Sequence, residues 1–170
     1  AEVAKLKAAP DCPPGYTRNT SAKKITWCKR GADEVVKVGT YWVDRYEASL
    51  VDDKVWSGGL CSGTGVQYGG ATLKNDCSKD YPAGFPCSGN WTKQLYACSR
   101  AGAMTSRAMT WFQAQQACLL AGKRLCTNVE WQGAVVGTVD PGAYNGAAGG
   151  PCHTNGTLPR KAGLAGTAPG

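Results

Sequence analysis

Nine cysteines, at positions 12, 28, 61, 77, 87, 98, 118, 126 and 152, constrain this chain more than any other feature. They are spread along almost its whole length, and no two form a C-x-x-C pair. A structural zinc site needs thiolates or imidazoles close enough for tetrahedral ligation, and the only histidine is His153. The spacing therefore points to disulfides in an oxidising compartment, with no metal or other cofactor expected. Each bridge over a loop of roughly 15 residues is worth about 3 kcal/mol in the chain-entropy model. The simplest pairing joins neighbours: Cys12 with Cys28, Cys61 with Cys77 and Cys87 with Cys98. Eight cysteines already allow about 105 connectivities, so spacing does not fix the map. Nine is odd, which leaves at least one thiol free, intermolecular, or paired with a cysteine outside this sequence.

At 170 residues the chain fits one hydrophobic core. Only 18% of residues are charged and 23 are glycine, so much of the surface is expected to be neutral loop. The net charge of +7 is uneven: residues 1–30 hold seven Lys and Arg against two acidic residues. The expected organisation is a basic, disulfide-closed arm over 1–34 and a folded domain over 35–170. The pairs Lys23-Lys24 and Lys29-Arg30 lack the interleaved aromatics of a nucleic-acid stacking platform, so the arm reads as solvated and nucleic acid is not an expected partner. No apolar run is long enough to span a bilayer. The sequence opens at Ala1-Glu2-Val3 without a signal-peptide pattern, and reads as a mature extracellular or periplasmic chain. Asn19, Asn90 and Asn155 head N-x-S/T sequons and are candidate glycan acceptors.

Two blocks carry strong local patterns. "KITWC" and "EVVKVGTYWVDRYEAS" are β-branched and aromatic, which predicts strands near 24–28, 35–38 and 40–48 with a turn or bulge at Gly39. From Leu50 to Arg107 the pattern dissolves into Gly, Ser, Asp and Cys, and reads as long loops held by cross-links. "TWFQAQQACLLAGKRLCTNVEWQGAVVGT" (110–138) then predicts two short helices joined by a basic turn. Thr110 with Gln113, and Thr127 with Glu130, each form a capping box. Trp111, Ala114, Cys118 and Ala121 fall on one helical face, and Gly122 suits a left-handed cap. The second helix is expected to bury Val129, Trp131 or Val135 and to end at Gly137. The Gly-rich tail has no periodic apolar face and is expected to be pinned at Cys152.

"YWVDRYEAS" (41–49) followed by "MTWFQAQQACLLAGKRLCTNVEWQGAVVGT" (109–138) resembles the formylglycine-generating enzyme, or sulfatase-modifying-factor, domain family. That family shows an aromatic-hydrophobic-Asp-x-x-Glu strand and, later, a helix–G-x-R-L-P-T-E-A-E-W segment. The match covers about forty residues through the register of Trp111, Cys118, Gly122, Arg124, Leu125, Thr127, Glu130 and Trp131. The resemblance implies an α+β, irregular C-type-lectin-like fold, loop-rich and disulfide-rich, with two short helices and a few twisted strands. It also implies that Glu47, Arg124 and Glu130 make buried structural contacts. In the family's oxidases the copper-binding thiolates and calcium-binding positions lie in a C-terminal half, beyond a G-N-V-W-E-W-like segment that this sequence does not reach. Cys126 stands where the family has Pro, and Asn128 where it has Glu. The family also implies that the cysteine matching Cys118 pairs with one in that missing half.

The expected function is a secreted, non-catalytic lectin-fold module for ligand binding or extracellular assembly. The alternative is a formylglycine-generating-type metal-dependent oxidase represented by its N-terminal part. Loop aromatics Trp56, Tyr68, Trp91, Tyr96 and Tyr144 are candidate contacts for a glycan or protein ligand, whereas Trp42, Trp111 and Trp131 read as core. The spare cysteine or the basic arm would join a second polypeptide or identical subunits.

Overall fold

The computed structural model describes residues 12–21, 26–52, 61, 66–69 and 76–137. Its first part is an antiparallel meander of β1 (Thr17–Thr20), β2 (Thr26–Arg30), β3 (Asp33–Val38) and β4 (Tyr41–Asp44), paired in chain order. The β3–β4 connection is the two-residue turn Gly39-Thr40, and Gly39 sits at φ +55°, which glycine adopts without strain. The strand expected over 40–48 stops at Asp44, because Tyr46 turns its amide away to the Ser99 hydroxyl, 2.9 Å distant. The expected boundary at 34/35 falls inside β3. The Cys12–Cys28 disulfide then ties the segment before β1 to β2, so the arm's described part is continuous with this sheet.

The second sheet lies inside the stretch that reads as loop. β5 (Ser49–Asp52), β6 (Gln67–Tyr68) and β7 (Leu95–Cys98) pair antiparallel in the order β6-β5-β7. All four residues of β5 are buried, so the alternation that marks a half-exposed strand is absent from its sequence. The core gathers here: Leu50, Val51, Cys61, Tyr81, Phe85, Leu95, Ala97 and Cys98, with Trp91 stacked on Phe85 at 5.6 Å.

The disulfide map differs from neighbour pairing at two of three bridges. Cys61 joins Cys98 and Cys77 joins Cys87. Long-range pairing decides this, because β7 lies beside β5 and carries Cys98 into the core where Cys61 is also fully buried. Gly31 makes the approach of Cys61 feasible: a Cβ there would stand 2.5 Å from the Cys61 carbonyl oxygen, and its φ of +61° suits glycine.

Two helices follow, α1 (Trp111–Leu120) and α2 (Asn128–Val135), and both open with complete capping boxes. Of the expected face Trp111, Ala114, Cys118 and Ala121, the C-cap Ala121 is fully buried and Cys118 packs partly on the core, while the buried residues within α1 itself are Gln113 and Ala117. Alanines let the helix approach β7 closely; a tryptophan at that contact would hold the two apart. Gln113 is fully buried, donates to the Phe85 carbonyl at 2.8 Å and accepts from the Thr110 amide at 2.9 Å, so its amide is satisfied. Trp111 and Trp131 are exposed rather than core residues, and α2 buries none of Val129, Trp131 or Val135. The architecture is thus α+β, two antiparallel sheets and two helices braced by three disulfides among the described residues. No described helix is long and apolar enough to cross a membrane.

Candidate functional site

The densest group of polar side chains is assembled by the end of α1. The Lys123 amide donates to the Cys118 carbonyl at 2.8 Å and the Gly122 amide to the Leu119 carbonyl at 3.0 Å, with Gly122 at φ +71°. This is a Schellman closure, and it aims the next side chain back under the helix. Lys123 Nζ lies 2.7 Å from Asp33 Oδ1 and 2.6 Å from Asp44 Oδ1. Asp33, at the start of β3, is completely buried. Its Oδ1 also accepts from the Ser99 amide at 2.7 Å, and its Oδ2 accepts from the Tyr16 hydroxyl. Arg30 Nη2 stands 3.8 Å from Asp33 Oδ2 and donates to the Ala121 carbonyl at 2.8 Å, while its guanidinium covers the Tyr16 ring at 4.7 Å. Two carboxylates meet two cations here, and both cations lie where the helix dipole is negative.

Burial sets the protonation of this group. It raises the Asp44 carboxyl above its usual range despite the opposing Lys123 charge, and it raises the Tyr16 hydroxyl further, aided by Asp33. Cys118, on α1 above the cluster, is pushed up to about 11, chiefly by burial and then by the Asp44 charge. A thiol so protonated at neutral pH is a poor nucleophile and a poor metal ligand. Cys126 is exposed, and both thiols are free among the described residues. Under reduction mild enough to spare the buried bridges, iodoacetamide at pH 8 should therefore label Cys126 and leave Cys118 mostly unmodified. Cys118 labelling should climb as the pH rises toward 11. Equal rates at pH 8, followed by peptide mass spectrometry, would contradict this assignment.

The residues singled out in the sequence are scattered. Arg124 and Glu130 do pair, with Nη1–Oε2 at 2.7 Å and Nη2–Oε1 at 2.5 Å, and Arg124 also donates to the Leu125 carbonyl at 3.1 Å. The pair is not buried as expected: the Arg124 side chain is 57% exposed, and Glu47 is exposed as well. Glu130 serves α2 as its N-terminal box, accepting from the Thr127 amide at 2.9 Å, and is lowered to about 2, first by Arg124. Of the loop aromatics, Trp91 packs on the core and donates its Nε1 to the Pro86 carbonyl at 2.9 Å. Tyr68 and Tyr96 are half-buried at the sheet edge, with Lys93 Nζ 5.3 Å from the Tyr68 ring centre and the Tyr96 hydroxyl donating to Gln94 at 2.7 Å. Trp42 is half-buried beside Lys37. Asn19 lies on β1 and bonds the Thr17 carbonyl; Asn90 is exposed at a turn with φ +57°. Trp56, Tyr144, Asn155, Cys152 and His153 lie outside the described residues.

Sequence reasoning missed Tyr16, Arg30, Asp33, Asp44 and Lys123. The available signal was Gly122, because a helix-closing glycine places the following residue over the helix end. Among the described residues no three metal-ligating side chains converge. What the helices do present is apolar surface: Trp111 and Phe112, edge to face at 5.4 Å, with Leu119, Val129, Trp131 and Val136 all more than half exposed. Comparison with family models, curated proteins and solved structures finds no match to this chain.

Proposed function

We propose that this chain is a non-catalytic module of an extracellular or other oxidising compartment, of C-type-lectin-like (sulfatase-modifying-factor) type, that assembles with a second copy of itself through α2 and Cys126. The carrying observation is that α2 buries no residue while an exposed thiol stands two positions before it. A helix of 8 residues is marginal alone in water. Here it is held by its capping box, the Arg124 pair and the Tyr41 hydroxyl donating to the Glu130 carbonyl at 2.6 Å. Meanwhile Val129 is 78%, Trp131 56% and Val136 82% exposed. Exposed Trp and aliphatic side chains of this kind form the desolvated centre of protein interfaces.

A second copy suits this surface for two reasons. Three disulfides in a small domain fit an oxidising compartment, where an exposed thiol meets other thiols, and a Cys126–Cys126 bond is compatible with a two-fold axis. Such a bond would place the two α2 surfaces together. Arg124 and Glu130 neutralise each other beside it, so the approach brings no like-charge repulsion. The likeness of 41–49 and 109–138 to the sulfatase-modifying-factor family supports the fold type. Size-exclusion chromatography with light scattering, together with non-reducing gels, should show a disulfide-linked dimer. Cys126→Ser should abolish the covalent band, and adding Trp131→Glu should leave monomer. A native chain that is monomeric with Cys126 open to alkylation would rule the proposal out, as would a dimer that survives both substitutions.

A further inference from the structure

A second surface, sharing no residue with α2 or Cys126, has an unmet electrostatic demand. Between β2, β3, β6 and the loop after β7 lies an open groove of about 520 Å³, lined by Lys29, Glu34, Gln67, Arg100, Ala103 and Met104 among others. That volume lies within the range of small-molecule sites, about 300–1,000 Å³. Its floor is shallow in side chains because residues 101–103 are Ala-Gly-Ala, and Gly102, at φ +73°, turns the backbone with open space where a Cβ would point.

The charges along this groove do not cancel. Glu34 is engaged by Arg45 at 2.8 Å and by Lys29 at 3.6 Å, so its carboxylate is already occupied. Arg100 is different. Its Nε is buried without a hydrogen-bond partner, and no described residue supplies its guanidinium with an acceptor or a counterion. Burial alone acts on it, lowering its proton affinity. The buried Nε is costly without a partner, and the Nη groups, which also have no described acceptor, are the part of the fork that a ligand in the groove would meet.

We infer that this groove is a binding site for a small monocarboxylate, with the Arg100 fork as its anchor. A carboxylate matches the planar, bidentate geometry of guanidinium. The groove favours a monoanion, because the Glu34 carboxylate also lines it and would repel a second negative charge. The remainder of the ligand would lie along Ala103 and Met104, with Lys29 at the rim adding long-range attraction. The site adds ligand binding to the module without using the assembly surface, and stands or falls apart from it.

The test is a titration of ¹⁵N-labelled full chain with sodium glucuronate, N-acetylglycine, methyl glucoside and phosphate, read by amide and arginine Nε–Hε chemical shifts. The expected result is saturable shifts at Arg100, Gly102 and Ala103 with one of the two carboxylates at about 1 mM, and none with methyl glucoside. Preference for glucuronate assigns the site to acidic sugars; preference for N-acetylglycine assigns it to peptide-like carboxylates. Arg100→Gln should weaken binding about tenfold or more, and Lys29→Gln about twofold. Arg100→Lys, which keeps the charge but loses the fork, should also bind more weakly, and it guards against a variant that fails to fold. Unsaturable shifts with both carboxylates, equal binding of phosphate, or unchanged affinity in a folded Arg100 variant would each overturn the site.

Discussion

Replacing Cys61 and Cys98 together by alanine should lower the unfolding free energy by about 4 kcal/mol, the largest loss of the three described bridges. The two cysteines are 37 residues apart, against 16 for Cys12–Cys28 and 10 for Cys77–Cys87. In the chain-entropy model those loops correspond to roughly 4, 3 and 3 kcal/mol respectively. Packing widens the gap. Cys61 and Cys98 are both fully buried in the central cluster, so alanine also leaves unfilled volume there. A domain whose total stability is about 5–15 kcal/mol would lose a large share of it. Urea titrations of the three double-alanine variants, followed by circular dichroism, give the ranking directly. If the Cys77/Cys87 variant proved the least stable, the Cys61–Cys98 bridge would not be the brace described.

What the sequence revealed, and what it hid, follows from where the determinants lie. The capping boxes at Thr110 and Thr127 are local, encoded within four residues, and both form as expected. The Gly39 turn and the Gly122 cap are equally local, since each depends on one residue's tolerance of positive φ. The β5–β7 pairing is not local: "SLVD" and "LYAC" are four-residue strands more than forty positions apart, without alternation to announce them. The disulfide map inherited that blindness, because Cys98 finds Cys61 only once β7 has joined β5. Helix periodicity found Ala121 of the buried face but not Gln113 or Ala117. Close packing on β7 selects Ala117 and Ala121 for their small size, and leaves Trp111 outside.

The ionic cluster shows the same limit at one-residue resolution. Family likeness drew attention to Arg124 and Glu47, both exposed, whereas the charges gathered around the buried Asp33 are the partly buried Lys123, next to Arg124 in sequence, and Asp44, three before Glu47. The Schellman turn decides between Lys123 and Arg124, because it fixes which side chain points under the helix and which points out.

Lys123→Met should therefore cost about 3–5 kcal/mol at neutral pH, the range expected when one partner of a buried pair is removed. Asp33 would lose one of its two Oδ1 donors while remaining fully buried, and Asp44 would lose the cation 2.6 Å away that opposes its desolvation. The pH dependence follows from the sign of the Asp44 shift. Its folded pKa is already raised by burial, and removing Lys123 raises it further. A carboxyl with a raised folded pKa binds its proton more tightly in the folded state, so its unfavourable contribution grows as pH rises through the folded pKa and vanishes below the unfolded value near 3.8. The stability gap between wild type and Lys123→Met should consequently be widest at neutral pH and narrow on acidification toward pH 4. Adding Asp44→Asn to Lys123→Met should recover part of the loss, since the double variant no longer buries that charge. Arg124→Met supplies the contrast. It pairs with Glu130 at the surface, where solvent screens the ion pair, so this neighbouring substitution should leave unfolding nearly unchanged. Equal losses at positions 123 and 124, or a gap that does not vary with pH, would mean that the cluster under α1 does not anchor the helix to the first sheet.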